Sequence, residues 1–161
     1  MFCPTYGGIW MALIYDDWGR STLTDAILNK QTQIALALIR ECDDVNHKDN
    51  GGHSDLYFAA QNCEVEVVCE LLRKGADPNI ETFSRVTPLN AALFASQHYS
   101  YEQAYKIVEL LLAAGANPDH KNHRGVSIRQ ISKSLAPGSI NDYIQAWPIS
   151  NKQDKGQKQE P

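Results

Sequence analysis

Apolar residues along this chain recur in short stripes at helical spacing. Val67, Val68, Leu71 and Leu72 form one stripe, and Ile107, Val108, Leu111 and Leu112 form another. Steps of three and four place each set on one face of a helix. Both stripes run into a glycine, Gly75 or Gly115, where a left-handed residue can close a helix. Pro78 and Pro118 follow and prevent continuation. Ahead of the apolar stretches stand Ser21, Ser54, Thr87 and Ser127, each placed to cap a helix N-terminus or tie the preceding turn through its hydroxyl. Pro88 fits a first helical position, where its missing N–H is not needed. The pairs Ala59-Ala60 and Ala91-Ala92 are small enough to let neighbouring helices approach closely. The pattern predicts a unit of turn, helix, short turn and helix.

The unit repeats. Ser21-Thr22-Leu23, Ser54-Asp55-Leu56 and Thr87-Pro88-Leu89 are 33 residues apart, and Gly125-Val126-Ser127-Ile128 is a degenerate fourth copy. The helix ends follow: Cys42-Asp43-Asp44-Val45-Asn46, Gly75-Ala76-Asp77-Pro78-Asn79 and Gly115-Ala116-Asn117-Pro118-Asp119. Asp44 to Asp77 is 33 residues and Asp77 to Asn117 is 40, so the third copy carries seven extra residues. Turn-like segments precede the helix starts at Asp16-Asp17-Trp18-Gly19, Asp49-Asn50-Gly51-Gly52 and Asn122-His123-Arg124-Gly125. A period of this length marks a solenoid, in which one unit cannot bury its apolar face alone and neighbours stack.

Three runs give the repeat a family likeness. They are Ala59-Ala60-Gln61-Asn62-Cys63-Glu64-Val65-Glu66-Val67-Val68 with Leu71 to Asn79, Val86-Thr87-Pro88-Leu89-Asn90-Ala91-Ala92, and Ile107 to Asn117. The chain resembles the ankyrin-repeat family over residues 16 to about 147. The resemblance implies an all-α ankyrin-repeat solenoid of about four helix-turn-helix units, the last degenerate, with the seven-residue insertion in the third. It divides the chain into an N-terminal capping segment (1–15), the repeat domain (16–147) and a disordered polar tail (148–161), which lacks any apolar period. In the last copy Arg129, Gln130, Ser132 and Lys133 replace apolar and alanine positions, as the polar outer face of a terminal unit requires. Residues 138–147 then form a final outer helix with Ile140, Tyr143, Ile144 and Trp147 facing inward.

Three residues depart from the family pattern. Cys42 stands where the family has a helix-ending glycine, and a left-handed residue other than Gly there costs up to roughly 1 kcal/mol. Cys63 replaces the glycine between helices, and Arg85 that of a turn. Between Ala95 and Tyr105 the insertion either lengthens the helices or projects a loop carrying His98, Tyr99 and Tyr101. Tyrosines in an exposed loop supply rigid contact area to a partner.

Composition narrows the function. The chain has 161 residues, a hydrophobic fraction of 43% and a net charge of -4, an ordinary globular balance. Phosphate binding needs clustered Lys and Arg, so nucleic acid is a poor partner. No apolar run approaches the ~20 residues that cross a bilayer. The stretch from Ile9 to Tyr15 is apolar but short, without a basic flank and followed by Asp16-Asp17, so it fits a core-capping segment better than a signal peptide. Residues 1–10 match nothing in the repeat, and Met11 is a candidate start. Cys3, Cys42, Cys63 and Cys69 form no CxxC pair and are expected as reduced thiols in a cytoplasmic protein.

No GxxxxGK[ST], GxSxG or HExxH occurs. His120 and His123 have a spacing seen in some metal sites, but Lys121 and Arg124 beside them disfavour a cation. Asp16-Asp17 and Asp43-Asp44 are paired acids without a predicted pocket, and acid–base work needs one. No enzyme activity, cofactor or metal is expected.

The resemblance implies instead a protein partner, contacted by the turn tips and the exposed side of each first helix. The tips supply Asp17, Trp18, Arg20, Lys48, Asn50, His53, Glu81, Phe83, Ser84, His123 and Arg124. The first helices supply Leu28, Asn29, Gln61, Asn62 and Phe94, and the insertion His98, Tyr99 and Tyr101. Trp18, Phe83 and Phe94 are the aromatic anchors expected of a hot spot. Small ankyrin proteins with irregular repeats are similar to bacterial immunity proteins that neutralise a toxin. An adapter or regulatory subunit holding an endogenous partner is the alternative. Either is expected to be monomeric on its own.

Overall fold

The computed structural model describes residues 15–135 and 138–148. The expectations for the segment before Tyr15, including Met11 as the start, and for the tail from 149 onward lie outside the described residues. Eight helices occur among them: α1 (Thr22–Leu28), α2 (Thr32–Glu41), α3 (Asp55–Gln61), α4 (Val65–Arg73), α5 (Pro88–Ala95), α6 (Tyr101–Ala113), α7 (Ile128–Leu135) and α8 (Ser139–Ala146). They pair as α1/α2, α3/α4, α5/α6 and α7/α8. The first helices stack in the order α1, α3, α5, α7 and the second in the order α2, α4, α6, α8. The predicted solenoid of four units is the observed fold.

Local chemistry starts the first helices where the hydroxyls stand. Thr24 N–H donates to Ser21 Oγ at 3.1 Å and Ser21 N–H to Thr24 Oγ1 at 3.2 Å. Tyr57 N–H donates to Ser54 Oγ at 3.2 Å. Thr87 and Asn90 form a capping box, and Ser127 and Gln130 exchange bonds in the same sense, at 2.9 and 3.4 Å. Such caps satisfy N–H groups that a helix leaves without partners, at about 1 kcal/mol each.

Packing follows the period. Leu23, Leu56 and Leu89, one per repeat, are fully buried, with Ala59, Ala60 and Ala92 beside them. Val67, Val68, Leu71, Ile107, Val108, Leu111 and Leu112 are also fully buried. Each large aliphatic side chain contributes roughly 1.5–3 kcal/mol by leaving water. Asparagines join successive units. Asn79 Oδ1 accepts from Asn117 N–H at 2.8 Å while its amide donates to Gly115 O at 2.9 Å. Asn46 does the same one repeat earlier, accepting from Asp77 N–H at 2.8 Å and donating to Gly75 O at 3.5 Å.

The last repeat departs from expectation in a specific way. Arg129 occupies the position of Leu23, Leu56 and Leu89, and Ser132 that of Ala26, Ala59 and Ala92. Neither belongs to the polar outer face. Ser132 is fully buried, and its Oγ donates to Arg129 O at 3.2 Å. Arg129, 14% exposed at its side chain, grips Asp119 at 2.7 and 3.0 Å. It also donates to Ile144 O at 2.6 Å and Gln145 O at 3.1 Å. Its stem fills a leucine's place, and its planar fork satisfies carboxylate and helix-end carbonyls together. Gln130 and Lys133 are exposed as expected. On α8, Ile140 and Ile144 are fully buried and Tyr143 and Trp147 pack against the core.

Cys42 is a second correction. It is not left-handed: φ is -78° and ψ 130°, an extended end to α2. The thiol lies 3.0 Å from Asp44 O, and Lys74 Nζ donates to Cys42 O at 3.3 Å. The equivalent carbonyl at the left-handed Gly75 is likewise taken by a side chain of a neighbouring repeat, from Asn46 at 3.5 Å. Cys63 and Arg85, by contrast, hold φ of 60° and 58°, and Lys30 joins them at 54°.

The insertion goes mostly into helix. Relative to the second repeat, α5 gains one residue, the turn two and α6 four. The extension docks on the last repeat: Tyr101 Oη lies 2.8 Å from Ser139 Oγ and accepts from Ile140 N–H at 3.0 Å. Tyr105, Tyr143 and Trp147 then stack with centroids 5.8 and 5.7 Å apart. The turn itself bends towards the first repeat, where Lys30 Nζ lies 5.5 Å from the Tyr99 ring centroid.

Candidate protein-binding surface

Four tips line one edge of the solenoid, and each is built by one rule. An opening residue accepts backbone N–H bonds at its side-chain oxygen. Asp16 takes Trp18 and Arg20 at 2.9 and 2.8 Å, and Asp49 takes Gly51 and His53 at 2.9 and 2.7 Å. Asn122 takes Arg124 and Val126 at 2.9 and 3.1 Å, and Thr82 takes Val86 alone at 3.2 Å. Three residues later the chain turns left-handed, at Gly19, Gly52, Arg85 and Gly125. Short Asx side chains make this turn without help from tertiary packing.

The tips are also stitched together. Asn50 N–H donates to Trp18 O at 2.8 Å and its amide to Asp17 O at 3.1 Å. Lys48 Nζ donates to Glu81 O at 2.8 Å, and His123 N–H to Ser84 O at 3.3 Å. Gly52 is a close approach: a β-carbon there would lie 2.9 Å from Phe83 N. The result is a braced row whose outward side chains are fixed by backbone.

The candidate residues divide accordingly. Arg20 clamps Asp16 at 2.7 Å, and His53 Nδ1 lies 3.1 Å from Asp49 Oδ1. These two, with Lys48, Asn50 and His123, brace the tips. Glu81 holds Arg85 at 3.4 Å and lies 2.8 Å from His120 Nε2, off the line of a ring hydrogen bond. Burial alone would push the Asp16 carboxyl up, but the bonds from Arg20 and Trp18 together hold it below its ordinary value. Asn29 and Asn62 donate to Asp25 O and Ile27 O at 2.8 and 3.4 Å. Tyr101 is engaged with α8.

Other candidates face outward. Trp18 is 68% exposed, Phe83 78%, Phe94 44% and Tyr99 56%. Asp17, Gln61, Ser84, His98 and Arg124 are exposed, and Leu28 is half-buried. The three aromatics are not one cluster. Trp18 and Phe83 belong to the tip row. Phe94 lies six residues past Pro88, roughly 9 Å along α5, in register with Leu28 and Gln61.

Two aromatics join the surface that spacing had not singled out. Tyr57 and Phe58, half-buried on α3, pack against the His53 ring at 4.8 and 5.4 Å. The first and third repeats have Thr24-Asp25 and Asn90-Ala91 at these places, so aligning the copies for aromatic excess would have found them. Burial, with Asp49 nearby, pushes the Tyr57 hydroxyl above its usual range.

Among the described residues no three His, Cys, Asp or Glu side chains converge as a metal site, and no helix is long and apolar enough to cross a membrane. The family model for ankyrin repeats in three copies matches residues 23–122. Rabankyrin-5 of Homo sapiens is 31% identical over 143 residues, 86% of this chain and 12% of that protein. Rabankyrin-5 of Mus musculus is 31% identical over 115 residues, 68% of this chain and 10% of that protein. The chain therefore spans about a tenth of the length of these curated relatives.

Proposed function

This chain belongs to the ankyrin-repeat family, and from that premise we propose that it is an adapter or regulatory module that holds a protein partner on its tips and first helices. One observation carries the reading: Trp18 and Phe83 are the most exposed large apolar side chains among the described residues, and both sit on backbone braced by inter-repeat hydrogen bonds. A large apolar ring on rigid backbone loses little entropy on binding, which is what an interface anchor needs. Nothing in the surface calls for a reaction. The bound protein is held rather than transformed.

Toxin neutralisation is a second reading of the same surface. It draws on charge alone: residues 15–70 carry eleven Asp and Glu against four Lys and Arg, and an acidic face speeds capture of a basic target. The similarity to Rabankyrin-5 does not favour it over the adapter.

The test is affinity capture from the source cells, comparing the full chain with its Trp18→Ala, Phe83→Ala and Phe94→Ala variants. A protein retained by the wild type and lost from the variants is the expected result. A partner bound within a factor of two by every variant would overturn the surface assignment. For the toxin reading, co-expression with the neighbouring gene's product must form a complex and restore growth; failure of both sinks it.

A further inference from the structure

We infer that the open end of the first repeat is an intramolecular docking face, and that the uncharged stretch ahead of Tyr15 covers it through contacts to Ile34 and Leu38 of α2. The inference concerns the end of the solenoid and stands apart from the partner-binding edge.

The two ends of the solenoid are built differently. Ile34, Val67, Ile107 and Ile140 occupy one place on the four second helices, and Leu38, Leu71, Leu111 and Ile144 occupy the place one turn on. In the second, third and fourth repeats all six of these side chains are fully buried. In the first repeat Ile34 is 48% exposed and Leu38 half-buried. What differs is the neighbour. Helices α4, α6 and α8 each pack on the second helix before them, and α2 has none among the described residues. These two places therefore face a preceding layer, and the first repeat keeps them apolar. The far end is finished otherwise. On α8, Asn141 and Gln145 stand where α6 has Val108 and Leu112. The Gln145 amide donates to Arg129 O at 2.7 Å and to Ser132 Oγ at 3.1 Å, and Asn141 Oδ1 lies 3.2 Å from Ser132 Oγ. A terminal unit needs such polarity to stay soluble, and α2 presents isoleucine and leucine instead.

The chain carries a segment suited to that face. Residues 1–14 contain no charged side chain and include Phe2, Tyr6, Ile9, Trp10, Leu13 and Ile14. They join the described fold at Tyr15, whose ring packs against His47 at 4.5 Å, while His47 Nε2 lies 2.8 Å from Gly19 O. The point of entry is thus fixed beside the first repeat. Fourteen residues span up to roughly 46 Å when extended, against roughly 20 Å for the width of a helix pair. Covering Ile34 and Leu38 removes apolar surface from water, and an apolar stretch left open beside an apolar face would promote association. A tether presents the segment at an effective concentration in the mM range. A second copy of the chain has no such advantage at the same face.

The experiment uses the full chain with Trp18→Phe and Trp147→Phe, which leaves Trp10 as the single tryptophan. Its emission should lie at the short wavelengths of apolar surroundings and be shielded from acrylamide. Adding Ile34→Lys and Leu38→Lys should move it to the emission of tryptophan in water, with the helical circular dichroism retained. A water-like Trp10 at the outset, or one unmoved by the lysines, overturns the inference. A double-mutant cycle in urea gives a second readout should the lysines disturb the fold. Ile34→Ser is measured in the full chain with and without Ile9→Ser, Trp10→Ser and Leu13→Ser. It should raise the unfolding constant about fivefold more when the segment is intact. Equal effects in both backgrounds overturn the inference. Sedimentation identifies the source of the cover. The full chain should be monomeric at micromolar concentration, and a dimer that Ile34→Lys dissociates would give the face to a second copy and overturn the intramolecular contact.

Discussion

Arg85 offers the sharpest test of how the tips are built. Gly19, Gly52 and Gly125 take φ of 74°, 80° and 74° at the left-handed step, and Arg85 is forced to 58°. An L-residue there costs roughly 1–2 kcal/mol that Gly does not bear, while Gly gives back about 0.5–1 kcal/mol through its freer unfolded chain. Arg85→Gly also loses the Glu81 contact, whose partners are 54% and 40% exposed, worth at most about 1 kcal/mol. Arg85→Ala loses the same contact and keeps the strain. The difference between the two variants isolates the backbone, and the Gly variant should be more stable by about 0.5–1 kcal/mol. Urea unfolding at constant m-value measures it. A Gly variant less stable than the Ala variant would refute the claim that this tip stores conformational strain.

Other substitutions probe different terms. Gly125→Ala meets no atom within 4 Å and should lose only the left-handed penalty, about 1 kcal/mol, whereas Gly52→Ala would press on Phe83 N at 2.9 Å and should lose more by the same urea assay. Tyr101→Phe removes the hydroxyl that accepts from Ile140 N–H and should lower stability by about 1 kcal/mol. Burial raises the Asp55 carboxyl to about 6, against a bond from Thr24 Oγ1 at 2.6 Å that lowers it. Its neutral form therefore supports the fold fully below the ordinary value near 3.8, and that support is lost as pH rises through about 6. Asp55→Asn should remove this slope, so the stability of the wild type relative to the variant falls between about pH 4 and 7; a difference flat in pH contradicts it.

Much of the fold was legible because repetition converts weak local signals into a register. A serine cap or a terminal glycine alone says little, but Ser21, Ser54 and Thr87 at one spacing fix where helices begin. Single-residue geometry was less legible. Cys42 and Cys63 both replace glycine, yet only Cys63 turns left-handed while Cys42 ends its helix extended, a difference that the spacing of the repeat does not encode. Arg129 looked like solvent-facing polarity until the structure placed Asp119 and the α8 carbonyls within its reach. The surface was legible at the tips, where spacing locates exposure. It was not legible where the partners are internal, as for Tyr101, Arg20 and His53, since a sequence does not state which polar groups already hold each other.

Amide chemical-shift mapping of the labelled chain with the partner captured from the source cells tests the binding surface directly. Perturbations should concentrate at 16–20, 49–53 and 82–86 and along α3 and α5. Perturbations confined to the outer helices α2, α4 and α6, with the tips unmoved, would contradict the assignment of binding to the tip edge.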